Sequence, residues 1–224
     1  RLTRELLHKV FGAFGSRKLL NLKYKNSGWV LRKHLSTRER VSIQQSSKNS
    51  RLKERMSFYD KIYSRIVKDE KVIIDLGAGV NGFSYSYFKN KPRYIAVEAV
   101  GQWVDLMNLY FKKDKINARA IHLSLFELRK VVEIIKKEKE KKIVFLFKVI
   151  DALESLQRDY SKKLLLELAP FSDKFVLSFS TESMIKRKRF KAERKWIFDF
   201  IEEKFKILDD FEINGERFIV FSKK

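Results

Sequence analysis

Cysteine is absent from this sequence, histidine occurs only three times, and acidic residues are scarce where basic ones are densest. Without cysteine there are no disulfides and no thiolate ligands, and three scattered histidines do not build a zinc site, so no metal is expected. No apolar run approaches the roughly 20 residues needed to cross a bilayer, and no signal-peptide pattern is present. A membrane partner is therefore not expected, and the composition reads as that of a cytoplasmic monomer. The first residue is Arg1 rather than Met, and the native start is expected to lie upstream. No internal repeat is evident.

What is present is apolar mass and positive charge. Hydrophobic residues make up 44% of the 224, including 19 Phe, enough to fill the core of one domain of about 150 residues with a smaller one beside it. The net charge is +22 and it is unevenly placed. Residues 1–68 hold 18 Lys/Arg against 4 Asp/Glu, whereas residues 69–224 hold 32 against 24. A lysine-rich thermophilic surface would bring matching acid, which only the second part has. Self-repulsion on the scale of the first part calls for a polyanion, and the phosphate backbone of nucleic acid is the usual one.

The chain is organised around Val72-Ile73-Ile74-Asp75-Leu76-Gly77-Ala78-Gly79-Val80-Asn81-Gly82. Its apolar residues read as a parallel strand covered on both faces. The glycines allow a sharp turn at the strand's carboxyl end and a close approach of backbone to ligand. Tyr94-Ile95-Ala96-Val97-Glu98 repeats the pattern of strand ending in acid, and an acid at the second strand tip is where a doubly wound fold holds ribose hydroxyls. Asp75 is read as structural or ligand-orienting. A bland loop would explain the glycines alone; the pair with Glu98 is more specific.

Strand and helix patterns alternate from residue 72 onward, which predicts a parallel sheet with crossover helices. Strands are expected at 72–76, 94–98, 117–122, 142–147, 173–179, 205–212 and 217–222, and helices at about 82–89, 100–112, 125–140, 151–169 and 188–204. Asn214-Gly215 is a hairpin signal between the last two strands. Before residue 68 the spacing is helical: Leu2 to Phe14, then Leu52, Met56, Tyr59, Ile62, Tyr63 and Ile66, with a capping-box form at Ser36 to Glu39. The expected division is a basic helical domain at 1–68 and an α/β domain at 69–224.

The Asp-x-Gly-x-Gly turn resembles the first motif of class I S-adenosylmethionine (SAM) methyltransferases, and five alternating units closed by a hairpin match their seven-stranded, Rossmann-like plan. A narrower resemblance lies in His34-Leu35-Ser36-Thr37-Arg38-Glu39-Arg40, which is similar to the His-x-Ser-Thr-x-Glu-Arg signature of the Arm/Rmt (FmrO-type) aminoglycoside-resistance 16S rRNA (guanine-N7) methyltransferases. Further likenesses follow in order: His8 to Phe14, Phe58 to Tyr63, Asp75 to Asn81, Phe147 to Glu154, and Ser178 to Thr181. Collinearity over nearly the whole chain is more specific than any one of them.

The resemblance implies SAM as cofactor, small-subunit rRNA as partner and guanine N7 in the decoding site as acceptor. It implies that Arg40 pairs with the SAM carboxylate beside His34, a task suited to a planar bidentate donor. Gly77 and Gly79 would pass under the methionine moiety and Glu98 would accept the ribose hydroxyls. Lys148 and Glu154 would act at the catalytic end, Lys148 on a phosphate and Glu154 on the guanine N1/N2 donors, with Trp29 or Phe179 stacking on the base. Read by spacing alone, Arg40 is a surface helix arginine, Glu154 a solvated acid and His34 a packing residue. Other readings stay open: a methyltransferase for tRNA or large-subunit rRNA, or a ribosome-assembly factor that binds RNA without catalysis.

Three departures from the family pattern bear on these roles. Val41 to Arg55 intervene between the signature and the Phe-Tyr helix, and end in an echo of it, so Arg51 or Arg55 are alternatives to Arg40. The third strand ends in Leu123-Ser124 without an acid for the adenine amino group, leaving Ser124 and backbone near Leu125 for that contact. Ser178-Phe179-Ser180-Thr181-Glu182 carries an acid where the family has arginine. Seven basic residues among 186–195 offer compensation, through Arg187 or Arg189, beside RNA contacts expected from Ser178 and Thr181. Arg17, Lys18, Lys23 and Lys25 are the expected RNA-binding cations of the first domain.

Overall fold

In the computed structural model the described residues are 58–181 and 194–224. The first described element is helix α1 (Tyr59–Ile66), and seven strands follow: β1 (Val72–Leu76), β2 (Arg93–Glu98), β3 (Ala118–His122), β4 (Lys142–Phe147), β5 (Lys174–Ser180), β6 (Phe205–Ile213) and β7 (Glu216–Lys223). Helices α2 (Gly101–Lys113), α3 (Leu128–Lys137), α4 (Ile150–Leu156), α5 (Tyr160–Leu168) and α6 (Lys195–Lys204) alternate with them. Short 3₁₀ segments lie at Asn81–Tyr87 and Ala169–Phe171.

The sheet order is β3-β2-β1-β4-β5-β7-β6. The first five strands of that order run parallel, and β7 enters antiparallel between β5 and β6. Central strands β1 and β4 are buried at every position, as expected for strands with helices over both faces. Their β-branched and aromatic residues fit that environment, each large side chain contributing roughly 1.5–3 kcal/mol on burial. Edge strand β6 is open to solvent along most of its length instead, with Phe205 and Phe211 buried and the neighbouring Ile207 and Leu208 exposed.

Helix α1 turns Ile62, Tyr63 and Ile66 inward, and the Tyr63 ring stacks on Phe88 at 3.9 Å. Its guanidinium at Arg65 bonds Asp209 at 2.7 and 2.8 Å and lies 4.0 Å over Phe211, tying the helix to β6. The rest of the expected N-terminal domain lies outside the described residues.

Two elements differ from their sequence patterns. The helix expected at 82–89 is a 3₁₀ turn at Asn81–Tyr87, because Gly82 and Asn81 are held against α2 and the end of β1: a Cβ on Gly82 would meet Met107 Sδ and Phe111 Cζ at 2.8 Å. The single helix expected at 151–169 is broken between Leu156 and Tyr160. Asp159 takes φ +58° there, and the Glu154 carboxylate accepts hydrogen bonds from the amides of Asp159 (2.7 Å) and Ser161 (2.8 Å). Apolar periodicity runs through the break, since Leu153, Leu164 and Leu168 face the same core, so spacing alone does not reveal it.

Candidate active site

The carboxyl ends of the parallel strands converge on the glycine turn after β1. Gly77 and Gly79 have φ +69° and +55°, a region where an L side chain is strained. The amides of Gly77 and Ala78 both donate to the Val97 carbonyl, at 2.9 and 3.1 Å, and fold the turn onto β2. A Cβ on Gly77 would lie 2.5 Å from Val149 Cγ2, whereas one on Gly79 would meet nothing within 4 Å among the described residues. The turn is thus closed beneath Gly77 and open at Gly79.

Glu98 ends β2 beside that opening. One carboxylate oxygen accepts from the Gly79 amide at 2.7 Å and the other from the Val100 amide at 2.8 Å. The residue is only 8% exposed, and burial raises its pKa above the ordinary carboxylate range. The hydrogen bonds from Val100 and Gly79, with His122 nearby, oppose that rise. Each oxygen keeps acceptor capacity beyond its backbone bond.

Asp75 is 1% exposed, and its carboxylate accepts from Asn81 Nδ2 at 2.6 Å and the Tyr94 hydroxyl at 2.5 Å. Tyr63 and Ser84 extend this network through Asn81. Asp75 therefore ties the turn to its surroundings from beneath. At the end of β3, Leu125 lies against Gly77, its side chain 3.7 Å from the position of the missing Cβ. The Leu125 carbonyl accepts from the Tyr160 hydroxyl at 2.5 Å, and the Ser124 hydroxyl accepts from the Phe126 amide at 3.3 Å.

Lys148 follows β4 directly and has φ +56°, costing roughly 1–2 kcal/mol that its surroundings must offset. Its amide donates to the Ser178 carbonyl at 3.0 Å, and its ammonium lies 2.8 Å from Glu216 Oε2. Ser178 is fully buried on β5, and its hydroxyl has no hydrogen-bond partner among the described residues. Thr181 donates from its hydroxyl to Glu212 at 2.8 Å and from its amide to the Gly215 carbonyl at 2.8 Å.

Glu154 lies apart from this constellation in its bonding: both its oxygens are engaged by the turn before α5. Phe179 does not offer a stacking face. It is 2% exposed, packs on Phe198 at 5.7 Å and is covered by the Arg194 guanidinium at 5.1 Å, because its position on β5 points into the core. Arg194 itself is pinned by Asp151 at 2.7 and 2.9 Å and by the Ser180 carbonyl at 3.1 Å. His34, Arg40, Arg51, Arg55, Arg17, Lys18, Lys23, Lys25, Trp29, Glu182, Arg187 and Arg189 lie outside the described residues.

Sequence reasoning missed Glu216 and His122. Glu216 stands in a strand that reads as a hairpin arm, and nothing local marks it. His122 pairs in register with Glu98 on β2 and contacts the Ala99 carbonyl at 3.0 Å; its place at a strand end was the one signal for it. Among the described residues no group of three or more metal-ligating side chains occurs, and no helix is long and apolar enough to cross a membrane.

No protein-family model matches the sequence, and no curated protein matches it. Solved structures do match. The 16S rRNA methyltransferase RmtF, crystallised with S-adenosyl-L-homocysteine, is 19% identical with a TM-score of 0.74 over 99% of this chain and 82% of its own. The 16S rRNA methylase RmtB is 16% identical with a TM-score of 0.71 over 99% and 80%. The 16S rRNA methylase ArmA is 22% identical with a TM-score of 0.66 over 90% and 100%. The strand order, the glycine turn and these likenesses together give the chain the class I SAM-dependent methyltransferase fold, in a form that resembles the Arm/Rmt-type 16S rRNA methyltransferases.

Proposed function

We propose that the protein is a SAM-dependent RNA methyltransferase acting on small-subunit (16S) rRNA, with N7 of a decoding-site guanine as the acceptor. The observation that carries the reading is the open glycine turn at Gly79 with the Glu98 carboxylate beside it, in a chain whose likeness to solved 16S rRNA methyltransferases extends over nearly its full length.

The residues present fit SAM. The bare Gly79 backbone leaves room for a ligand, and Glu98, buried yet with acceptor capacity remaining, suits two ribose hydroxyl donors. Arg40, with Arg51 or Arg55 as alternatives, would hold the carboxylate beside His34. Ser124 and the backbone of Leu125 would border the adenine. When bound, SAM supplies an electrophilic methyl group on a sulfonium sulfur. Guanine N7 has a free lone pair at neutral pH, so the site needs no general base; its residues have to hold and align the base. Lys148 stands at the carboxyl end of β4 for that task. Residues 1–68, with most of the excess charge, would bind rRNA through Arg17, Lys18, Lys23 and Lys25, assisted by Thr181, Arg187 and Arg189, whereas Ser178, fully buried on β5, is withdrawn as a contact. A folded basic module fits the reading of structured RNA by shape.

The test is incubation with assembled small subunits and labelled SAM. Label should enter 16S rRNA, with little on protein-free rRNA or tRNA, and borohydride–aniline treatment should open one new break in the decoding region. Label that resists this cleavage, or that enters tRNA or large-subunit rRNA, would place the acceptor elsewhere. RNA binding with neither methyl transfer nor calorimetric SAM binding would make the protein an assembly factor.

A further inference from the structure

We infer that Glu216 is a positioning residue for Lys148, and that the ammonium so held contacts O6 of the methyl-accepting guanine. The inference rests on the proposed guanine-N7 reaction and names the residues that read the base.

Lys148 is one position from Val149, whose side chain lies directly beneath Gly77. The lysine is therefore built into the wall between the glycine turn and the ends of β4 and β5. Its partner arrives from far along the chain: Glu216 opens β7 after the Asn214–Gly215 turn, in which both residues have positive φ. The Thr181 amide bonds the Gly215 carbonyl, and Ser180 pairs in register with Glu216, so the hairpin is pinned to the end of β5. The ammonium and carboxylate meet at 2.8 Å with side chains 16% and 4% exposed. A carboxylate this buried is tolerated as an anion because a cation sits on it. The pair thus sets both the place and the charge of the lysine.

The reaction gives that arrangement a use. An N7–carbon bond forms as the carbon–sulfur bond breaks, its electrons going to sulfur; the positive charge passes from sulfur to the guanine ring, and no proton moves. O6 lies beside N7 on the same edge of guanine and accepts hydrogen bonds, whereas adenine presents a donor there. A lysine N–H at O6 would orient guanine and reject adenine. A lone ammonium would also oppose the charge that the ring gains; with Glu216 against it the pair is neutral overall, so the donor remains without that repulsion.

The experiment measures kcat and KM for small subunits, SAM affinity by calorimetry, and thermal melting, on the full chain. Glu216→Gln should lower kcat about 10- to 100-fold, an ordinary range for disturbing one electrostatic contact at a reacting centre, with SAM affinity within about two-fold of wild type. The swapped chain, Lys148→Glu with Glu216→Lys, should regain melting behaviour through the restored pair but not kcat, since an acceptor then faces O6. Should Glu216→Gln not fold, the swap carries the same test. Wild-type kcat in folded Glu216→Gln, or recovery of kcat in the swap, would reduce the pair to a structural tie and overturn the inference. A wild-type protein that methylates no RNA would overturn the proposed function first, and the inference with it.

Discussion

The Gly79 amide donates to the Glu98 carboxylate at 2.7 Å, so the acid that ends β2 also holds open the turn that ends β1. One side chain thereby orders the glycine backbone and borders the space above it. Parallel register brings the two together, the last residue of β1, Leu76, pairing with Val97 just before Glu98.

From that contact the effect of removing Glu98 follows. Glu98→Ala should weaken SAM binding by roughly 1–3 kcal/mol, the usual cost of losing a charged hydrogen-bond partner. In the proposed site, ribose hydroxyls would donate to the ionised carboxylate, whose pKa burial raises. SAM affinity should therefore fall as pH drops through that raised pKa, and Glu98→Gln should lose the dependence. The folding contribution has the opposite course: a raised carboxyl pKa favours the protonated folded form, so the stability it confers is full below the unfolded pKa and is lost as pH rises through the folded one. Calorimetric titrations across pH would read the first effect and melting curves the second; pH-independent affinity in wild type would remove Glu98 from the ribose.

Gly77 tests the closed side of the turn. Gly77→Ala places a methyl group 2.5 Å from Val149 Cγ2 on a backbone at φ +69°. The change should cost roughly 1–3 kcal/mol of stability, from backbone strain and overpacking together, and weaken SAM binding. Gly79→Ala meets no atom of the described residues, so its penalty should come from φ alone and be smaller in denaturant melts. Equal penalties would argue against a wall beneath Gly77.

Glu154 separates a capping role from a catalytic one. Its two bonds to the Asp159 and Ser161 amides predict that Glu154→Ala destabilises the domain by about 0.5–2 kcal/mol, the range for losing a helix cap. If that is its whole role, kcat at a temperature well below the melting point should be near wild type. A large loss of kcat with unchanged stability would return Glu154 to the guanine edge.

The first 68 residues carry 18 Lys/Arg against 4 Asp/Glu, and should supply most of the RNA affinity. Charge reversal at Arg17, Lys18, Lys23 and Lys25 should weaken subunit binding and make its salt dependence shallower, by about 0.7–0.9 in log–log slope for each phosphate no longer neutralised. An unaltered slope would move the RNA to residues 186–195.

The sequence by itself determined the alternation of strands and helices, the hairpin at Asn214–Gly215 and the pairing of a glycine turn with Glu98. Those features are local: they follow from β-branched runs, from glycine where φ must be positive, and from an acid at a strand end. Only the tertiary structure decided that Glu154 caps the start of α5, that Phe179 is buried under Arg194, and that Glu216 lies against Lys148. Helical periodicity cannot register a break whose flanks face one core. The Lys148–Glu216 contact depends on β7 inserting between β5 and β6, an order set by packing across the whole sheet. No spacing within the chain encodes which strand ends meet, and the acid that meets Lys148 is the product of that long-range choice.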